Sequence, residues 1–408
     1  MRFGSPALKS ALTGSFNKRY VMDVVANGVR VLQDAPITAP RFADSGSSLV
    51  QSTGSCTLVY QDDFARSIAP SQIGDTFAPF GTQVAIYSLV TAGPALTERT
   101  LLGTYLITDD PKILTTRAVF AGNVVARGDM VDLTLSDLFA GVQQDRFDTP
   151  GAATDKTSVW KEYQRLTGYP VTRTVMDAAI PASVAYQEDK LQACYDLATV
   201  LDATAYMTPD GTASMRPNVW PAAVDSLWSN GARDSRGKTL DGGTLVDVVP
   251  RLSNSDVYNA VVVRGTDPSG NTIVLATAEV TDGPLRTRNP DGSLSPYRRV
   301  PYYYSSQYIT TQAQAQAYAN TQLARVSKLR SLTYDLTENF NPLREVGDVL
   351  NVYRLGDSFV CRVTDIQRDT GSTQTLTVTV DRTLTPPPLG TPAVQPQVQV
   401  SRFEIRST

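Results

Sequence analysis

Apolar and polar residues alternate with a period of two over much of the chain, and this pattern predicts β-strands. The run YVMDVVANGVRVLQ, Tyr20 to Gln33, has two apolar segments joined by Asn27-Gly28, a dipeptide that accepts the positive φ angles of a type I′ turn. It predicts a hairpin. Further strands are predicted over SCTLVYQ, QVAIYSLV and GTYLITD early in the chain, and over SLTYDLT, DVLNVYRL, SFVCRVTDIQ and QTLTVTVD near its end.

Helical periodicity is confined to a few segments. In Lys156 to Gly168, the apolar residues Val159, Tyr163 and Leu166 recur at helical spacing, and Gly168 fits the position that follows a helix. Two further helices are predicted over Glu188 to Ala203 and Gln312 to Arg330, and a hairpin with Asp210-Gly211 at its tip is predicted after the first of these. The fold class that we expect is α+β, predominantly β.

Two parts of the chain resemble each other in strand order. Each has a glycine-led strand that ends in tyrosine, then a strand that ends in Thr-Asp, then a Thr-rich strand that ends in aspartate. The first set is Gly81–Tyr87, Gly103–Asp109 and Met130–Asp137, and the second is Gly347–Tyr353, Phe359–Asp365 and Thr375–Asp381. The alternative is that any two β-rich regions can be aligned in this way. A true duplication predicts two related small barrels, since closure removes the exposed edges of a sheet.

Such a duplication has a consequence for symmetry. Two similar modules per chain, in a ring of three chains, present six similar units, and these could lie flush against a sixfold ring. We expect a first barrel domain, two α+β domains, a second barrel domain and a proline-rich extended arm, over residues 1–145, 146–250, 251–330, 331–385 and 386–408.

Composition excludes several function classes. The net charge of −3 and the pI of about 5.2 argue against a surface built to grip nucleic acid. The chain has no histidine, which removes Ser-His-Asp triads, HExxH zinc sites and histidine acid–base chemistry. Its three cysteines, Cys56, Cys194 and Cys361, have no zinc spacing, and we expect them to be buried thiols.

Several motifs are better explained as loops than as ligand sites. The segment DPSGN at Asp267 to Asn271 has turn residues throughout and lies between two strand-like runs, so it predicts a hairpin loop. A calcium loop starting there would need glycine and glutamate where Thr272 and Ala278 stand. The run LDGGTLVD lacks the GK[ST] sequence of a phosphate-binding loop. We predict no catalytic residue, no metal site and no cofactor.

Acidic clusters are interpreted as solvated turns, with a bound divalent ion as the alternative. They are Asp62-Asp63, Asp109-Asp110, and Asp129 with Asp132 and Asp137.

A tyrosine–arginine cluster is the one candidate interaction site. Such a cluster resembles a stacking and cationic patch for sugar or nucleic acid, but tyrosine-rich clusters also anchor protein contacts or pack internally. Its members are Tyr297, Arg298, Arg299, Tyr302, Tyr303, Tyr304 and Tyr308.

The residues at the two ends of the chain also allow predictions. The N-terminal residues lack the apolar core of a signal peptide, and no apolar run is long enough to span a membrane, so we expect synthesis in the cytoplasm and no membrane contact. The segment Pro386 to Gln397 should be extended, and it leads into VQVSRFEIR, a strand-like run that could pair within its own domain or with a neighbour.

A family resemblance follows from the order of short motifs. The runs LVYQDDF, DTFAPFGTQVAIYSLV and LTERTLLGTYLITD resemble the start of minor tail proteins of actinobacterial siphophages, with an alternating strand, a PFG turn, a Glu-Arg pair and an LG-x-(Y/F)-x-I motif. The runs DVYNAVVVRG, AQAQAYANTQLAR and NPLREVGDVL are similar to the tail-hub or baseplate-hub class. The resemblance covers the chain from about Tyr20 to Asp381.

The resemblance implies a structural protein and not an enzyme. It implies a homotrimer with two tube-forming barrels and two outer domains per subunit, located at the virion tail tip and assembled in the host cytoplasm. Its implied partners are a distal tail or tail tube ring, the tape measure protein, a tip or central fibre or receptor-binding proteins, and DNA only in transit.

Two rival functions stay open at this point. One is a tail-associated carbohydrate-active enzyme that uses an Asp pair. The other is a host receptor-binding module that uses the tyrosine–arginine cluster.

Overall fold

The computed structural model describes residues 1–26, 28–60, 68, 70–109, 111–181, 184–233, 237–251, 257–266, 271–306, 309, 311–327, 332–381 and 384–387. These residues form 21 strands and five helices. The predominance of β structure that the period-two alternation predicts is therefore confirmed. No helix in these ranges is long and apolar enough to cross a membrane.

Four of the five described helices begin at a residue whose side chain caps a free N–H group. Ser158, Asp189 and Thr311 each accept a hydrogen bond from the third residue of the helix that follows. Gly168, which the sequence predicts to follow a helix, has the left-handed conformation at the end of α3, with φ of 70°. The helices are α1 (Pro6–Leu12), α2 (Phe139–Gln144), α3 (Val159–Thr167), α4 (Lys190–Val200) and α5 (Gln312–Val326).

Six of the first seven strands pair in a closed cycle, which we call the closed ring. Its strands are β1 (Asn17–Ala26), β2 (Val29–Ser45), β3 (Ser52–Tyr60), β4 (Gln83–Ala92), β5 (Leu96–Ile107) and β7 (Asn123–Asp137). The order is β1–β4–β5–β7–β3–β2 and back to β1, and every pair is antiparallel. The remaining strand, β6 (Lys112–Phe120), pairs with β7 alone in the described part of the chain.

Alternate residues of the closed ring fill one core. Met22, Leu58, Ile86 and Val131 are almost fully buried there, as the period-two pattern requires, and Leu8 of α1 packs against the same cluster. Closure of the ring gives the backbone hydrogen bonds of all six strands a partner on both sides over part of their length.

A separate helical layer follows the closed ring in sequence. Trp160 and Tyr163 of α3 and Leu191 and Leu197 of α4 form its core. The predicted hairpin with Asp210-Gly211 at its tip is present. The short strands of this layer are β8 (Gly151–Ala152), β9 (Val171–Thr172), β10 (Ala185–Tyr186), β11 (Ala203–Met207) and β12 (Ala213–Pro217).

A second sheet combines strands from the middle and the end of the chain. Its strands are β13 (Asp225–Trp228), β14 (Leu245–Arg251), β18 (Leu332–Asn339), β19 (Val349–Arg354), β20 (Asp357–Arg368) and β21 (Thr373–Asp381). They pair in the order β13–β19–β20–β21–β18–β14, and β20 also pairs with β2 of the closed ring. Among the described residues the end strands β13 and β14 do not pair with each other.

The repeated sequence pattern has a counterpart in the pairing order. In the closed ring β4 pairs with β5 and β5 with β7, and in the second sheet β19 pairs with β20 and β20 with β21. The glycines that lead the two sets, Gly81 and Gly347, have φ angles of 95° and 92°. Both therefore have a left-handed backbone that glycine adopts without strain.

A three-stranded sheet covered by α5 forms the remaining part of the fold. Its strands are β15 (Ala260–Thr266), β16 (Thr272–Glu279) and β17 (Pro301–Ser306), in the order β16–β15–β17. The antiparallel pairing of β15 with β16 confirms the hairpin predicted around DPSGN, although residues 267–270 of its loop lie outside the described ranges.

Contacts between residues divide the chain into two units. The first comprises Met1–Val248, Asp335–Val378 and the described residues from Leu384 onward, and the second comprises Val249–Tyr334 and Thr379–Thr383. The first unit contains the closed ring, the helical layer and most of the second sheet. The second unit contains the three-stranded sheet and α5.

We expect Gly54→Ala to destabilise the closed ring. A Cβ atom at position 54 would lie 2.4 Å from the Phe42 ring, which packs against Tyr20 and Tyr105 with centroid distances of 5.8 and 6.0 Å. Displacing Phe42 should lower the free energy of unfolding by about 1–3 kcal/mol, as overpacking does elsewhere. Denaturant unfolding measures this. Gly151→Ala is the control because nothing lies within 4 Å of a Cβ there, and equal stability of the two variants would contradict the prediction.

Candidate functional site: the junction between the closed ring and the second sheet

The long strand β2 uses one of its edges twice. Val29 to Pro36 pair with β1, and Phe42 to Ser45 pair with β20 on the same side, while β3 occupies the other edge. Between them Ala39 has φ of 47°, and the register against β3 shifts between Thr38 and Arg41. The pairing with β1 ends at Pro36, before this bulge, and the pairing with β20 begins at Phe42, after it.

A buried ion pair lies where the two sheets meet. Nη1 of Arg368 on β20 donates to Oδ2 of Asp44 on β2 at 2.7 Å, and both residues are buried. Nη2 of the same guanidinium donates to the carbonyl of Arg344 at 2.7 Å. Arg368 therefore joins the closed ring, the second sheet and the turn that precedes β19.

The turn before β19 is held by a second buried cluster. Arg344 and Glu338 are each 1% exposed, and Nε of Arg344 lies 3.0 Å from Oε1 of Glu338. Gln374 of β21 donates to the same carboxylate at 2.7 Å, and Asp225 lies 2.9 Å from Nη1 of Arg344. The guanidinium and the carboxylate thus have partners on three strands, β13, β18 and β21, as buried charges require.

Arg2 connects this turn to the closed ring. Its guanidinium donates to the carbonyls of Leu102 in β5 and of Arg344, each at 2.8 Å. Burial lowers the pKa of this guanidinium, and the carboxylate of Glu345 partly offsets the effect.

One face of the junction carries several hydroxyl groups. A cavity of about 600 Å³ opens between β2, β3, β7, β20 and β21. Thr53, Ser55, Thr134, Ser136, Thr373 and Thr375 contribute to its walls. Charged side chains at the cavity are limited to Arg41, Arg368 and Asp369 among the described residues. Such a surface offers many weak hydrogen bonds and no concentration of one charge.

The acidic clusters do not all match the interpretation from sequence. Asp129 and Asp137 are only 2% and 3% exposed, so their interpretation as solvated turn faces is wrong. Asp137 accepts hydrogen bonds from the backbone N–H groups of Ser52 and Phe139 at 2.7 and 2.9 Å, and burial raises the pKa of its carboxyl to about 6. Asp132 and Asp109 are exposed. Asp62, Asp63 and Asp110 lie outside the described residues.

No group of three or more acidic or cysteine side chains is placed to hold a metal ion in the part of the chain that the structure describes. All three cysteines are buried and free, as predicted.

The predicted tyrosine–arginine cluster is divided between two faces of the three-stranded sheet. Tyr302 and Tyr304 point toward the α5 side, where Tyr304 stacks on Tyr318 with a centroid distance of 4.4 Å. Tyr303 is 59% exposed on the opposite face, and the Arg264 guanidinium lies 5.4 Å from its ring centroid.

The other members of this cluster lie in the segment before β17. The Tyr297 hydroxyl donates to the carbonyl of Val257 at 2.7 Å, and Arg299 lies 2.5 Å from Glu279. Arg298 is exposed and has φ of 60°. Tyr308 is outside the described ranges. Of the six described members of the cluster, Arg298, Arg299 and Tyr303 are exposed.

The motifs that carry the family resemblance have structural roles. Arg99 of the Glu-Arg pair lies 2.5 Å from buried Asp23 and 3.4 Å from the Tyr87 ring centroid. Gly103 leaves room for the Tyr105 ring, which a Cβ would approach to 2.7 Å. Arg344 of NPLREVGDVL is the buried arginine described above.

Sequence reasoning missed the central pair, Asp44 and Arg368. A signal was present, because each charge stands where the alternation demands an apolar residue, two positions after buried Phe42 and Ile366. A charged residue in phase with a buried face, on each of two strands, is the pattern expected of a buried ion pair.

We expect the Asp44–Arg368 pair to be strongly coupled. Asp44→Ala or Arg368→Ala alone should lower the free energy of unfolding by about 3–5 kcal/mol, because each leaves a buried charge without its partner. The double variant should lose clearly less than the sum of the two. Denaturant unfolding of the four proteins measures the coupling. The matched control is the exposed pair Arg173 and Asp177, which lie 4.0 Å apart. The coupling free energy of this pair should be less than about 1 kcal/mol. Additive losses at Asp44 and Arg368 would refute the coupling.

Asp137 should make stability depend on pH. Its pKa of about 6 in the folded protein exceeds the usual value of 3.8, so the folded state binds more protons and the free energy of unfolding falls as pH rises from about 4 to 6. Over this interval the wild type should lose about 2–3 kcal/mol more than Asp137→Asn. Urea unfolding at each pH tests this. Asp241→Asn, at an exposed position, should keep the wild-type slope, and an unchanged slope in Asp137→Asn would count against the prediction.

Comparison with known proteins identifies similarity at the level of fold. No protein-family model matches the chain, and no curated protein matches it in sequence. The structure is similar to the tail protein from Neisseria meningitidis MC58, with a TM-score of 0.54 and 14% identity over 89% of this chain and 97% of that one. It is also similar to the 43 kDa tail protein of prophage MuSo2 from Shewanella oneidensis, with a TM-score of 0.52 and 12% identity over 88% of this chain and 98% of that one. The chain therefore has the fold of these two tail proteins.

Proposed function

We propose that this chain is a structural protein of a phage tail, in which three copies form an adaptor ring at the tail tip. The observation that carries the proposal is the repeated strand order, β4–β5–β7 and β19–β20–β21, within one continuous sheet. Three chains with two such modules each would present six similar units to a sixfold tube, and the threefold axis would suit a tip or central fibre. Similarity to two tail proteins supports the assignment to a tail.

In this proposal the closed ring and the second sheet are the two tube-forming barrels of the subunit. The second sheet would complete its wall against a neighbour, because its end strands β13 and β14 have no pairing to each other in the described chain. Unpaired strand edges are sites where another chain can add a strand. The helical layer and the three-stranded sheet with α5 would form the outer domains.

The hydroxyl-lined face of the junction suits the wall of a channel. Phosphate groups of DNA bind tightly to clustered lysine and arginine, and among the described residues this face carries six serine and threonine residues but only two arginines and no lysine. With a net charge of −3 for the chain, DNA would pass without being held. The distal tail or tube ring, the tape measure protein and the fibre or receptor-binding proteins are the proposed partners.

The hairpin of β6 and β7 is our candidate for contact between neighbouring chains. β6 lies outside the closed cycle, and its Leu114 and Val119 side chains are 64% and 73% exposed. Exposed apolar residues on a projecting hairpin are typical of a surface that another protein covers.

The proposal predicts rings of three for the purified or virion-associated protein. Native mass spectrometry gives the copy number, and electron cryomicroscopy of the tail tip gives the symmetry. A stable monomer in the virion or a sixfold ring would exclude the adaptor. Release of soluble saccharide from host cell walls by the purified protein would instead favour the carbohydrate-active enzyme.

Charges on the hairpin should prevent assembly without unfolding the chain. In Leu114→Glu with Val119→Glu, the trimer should dissociate at least tenfold more readily, because carboxylates would be buried in the contact. Analytical ultracentrifugation measures this, and circular dichroism checks the fold. The control is Met176→Glu with Leu355→Glu, which places two charges at positions that are 90% and 74% exposed elsewhere. If the hairpin variant assembles as well as this control, the hairpin is not the contact.

A further inference from the structure

A second cavity, of about 250 Å³, lies in the first unit beside the turn that precedes β19. Its walls include Gly46 after β2, Arg216 of β12, Gly347 of the turn, and Arg362 and Val363 of β20. We call it the arginine pocket. Nothing in the family resemblance or in the proposed channel assigns it a role.

Arg216 has hydrogen-bond donors that no described residue accepts. Its guanidinium carbon lies 4.3 Å from the Tyr206 ring centroid, an arrangement that fixes the plane of the group. Among the described residues no carboxylate lies within ion-pair distance of it and no acceptor receives its N–H groups. The side chain is half-buried and lines the cavity. A planar fork of N–H donors is therefore available to a ligand.

Arg362 adds a second positive charge to the same wall. It donates to the carbonyls of Asn218 and Pro217 at 2.9 and 2.8 Å, which hold its guanidinium in place without neutralising it. Burial lowers the pKa of this guanidinium, and the nearby charge of Arg216 lowers it further. Two guanidinium groups so close together repel each other unless an anion lies between them.

The nearest carboxylates are engaged elsewhere and do not line the pocket. Glu345 and Asp348 act on Arg216 through space. Asp348 accepts from the backbone N–H of Glu345 at 2.9 Å, and Glu345 lies 3.8 Å from Nε of Arg2. The positive charge of the pocket therefore stays without a direct counter-charge from the described residues.

The shape of the pocket depends on glycine. A Cβ atom at Gly347 would lie 2.2 Å from Cδ of Arg216, so only glycine leaves room for this arginine. At Gly46 a Cβ would lie 2.9 Å from Cγ1 of Val346. The backbone therefore lies close to a side chain at both turns, to charged Arg216 at Gly347 and to apolar Val346 at Gly46.

We propose that the arginine pocket binds the carboxylate of an aspartate or glutamate side chain from another polypeptide. Paired N–H donors of arginine match the two oxygens of a carboxylate. The cavity exceeds the roughly 30 Å³ that one water occupies in the liquid by several fold, and Val346 and Val363 in its wall suit the methylene stem of an acidic side chain. The inference does not rest on the proposed tail function, because it is tested on the isolated protein.

The test compares three solutes at equal ionic strength by thermal unfolding of the full chain. The solutes are N-acetyl-glutamate α-amide, inorganic phosphate and sodium chloride. A ligand that binds only the folded state raises its stability, so the Tm should be higher by a few degrees in the blocked glutamate than in chloride. Arg216→Gln should abolish this increment and Arg216→Lys should retain part of it.

Arg354→Gln is the matched control, since Arg354 lies at the other end of β19 and outside the pocket. The rise in Tm that the blocked glutamate causes in this variant should equal the rise in the wild type. Circular dichroism without solute verifies that each variant is folded. If Arg216→Gln does not fold, Arg362→Lys takes its place and should at least halve the increment. A rise in phosphate but not in the blocked glutamate would overturn the proposal in favour of a phosphate site. No increment in the wild type, or an equal one in the Arg216 variants, would also overturn it.

Discussion

A strand has two edges, and the fold depends on how β2 divides one of them between β1 and β20. The bulge at Ala39 lies between the two pairings. Because β2 takes part in both, the closed ring and the second sheet share a strand, and their relative position is fixed by backbone hydrogen bonds as well as by side chains.

Sharing a strand places charges where water cannot reach them. Asp44 and Arg368 lie at the shared segment, and Arg344 with Glu338 lies under the adjoining turn. Buried pairs of this kind add little net stability compared with apolar residues of similar volume, but they strongly disfavour arrangements in which one partner is alone. The same turn carries Gly347, whose backbone leaves room for Arg216, so the junction and the arginine pocket share a wall.

Local patterns in the sequence predicted much of the fold. Alternation located the strands of both sheets, Asn27-Gly28 and Asp210-Gly211 marked hairpins, and Gly168 marked a helix end. The similarity between the segments after Gly81 and Gly347 anticipated their common pairing order.

Non-local features were not predicted. The pairing of β2 with β20 joins residues more than 300 positions apart, and β13, from the middle of the chain, pairs with β19. The burial of Asp137 depends on Ser52 and Phe139, and the division of the tyrosine cluster depends on which side of the sheet α5 covers. No periodicity encodes these partners.

The shared strand also has a mechanical consequence. Force applied to the second sheet reaches the closed ring through the hydrogen bonds between β20 and β2, and a pull along these strands loads the whole row of bonds together. A junction of this kind is stiff in shear and yields abruptly, whereas two bodies joined by a flexible linker would yield gradually.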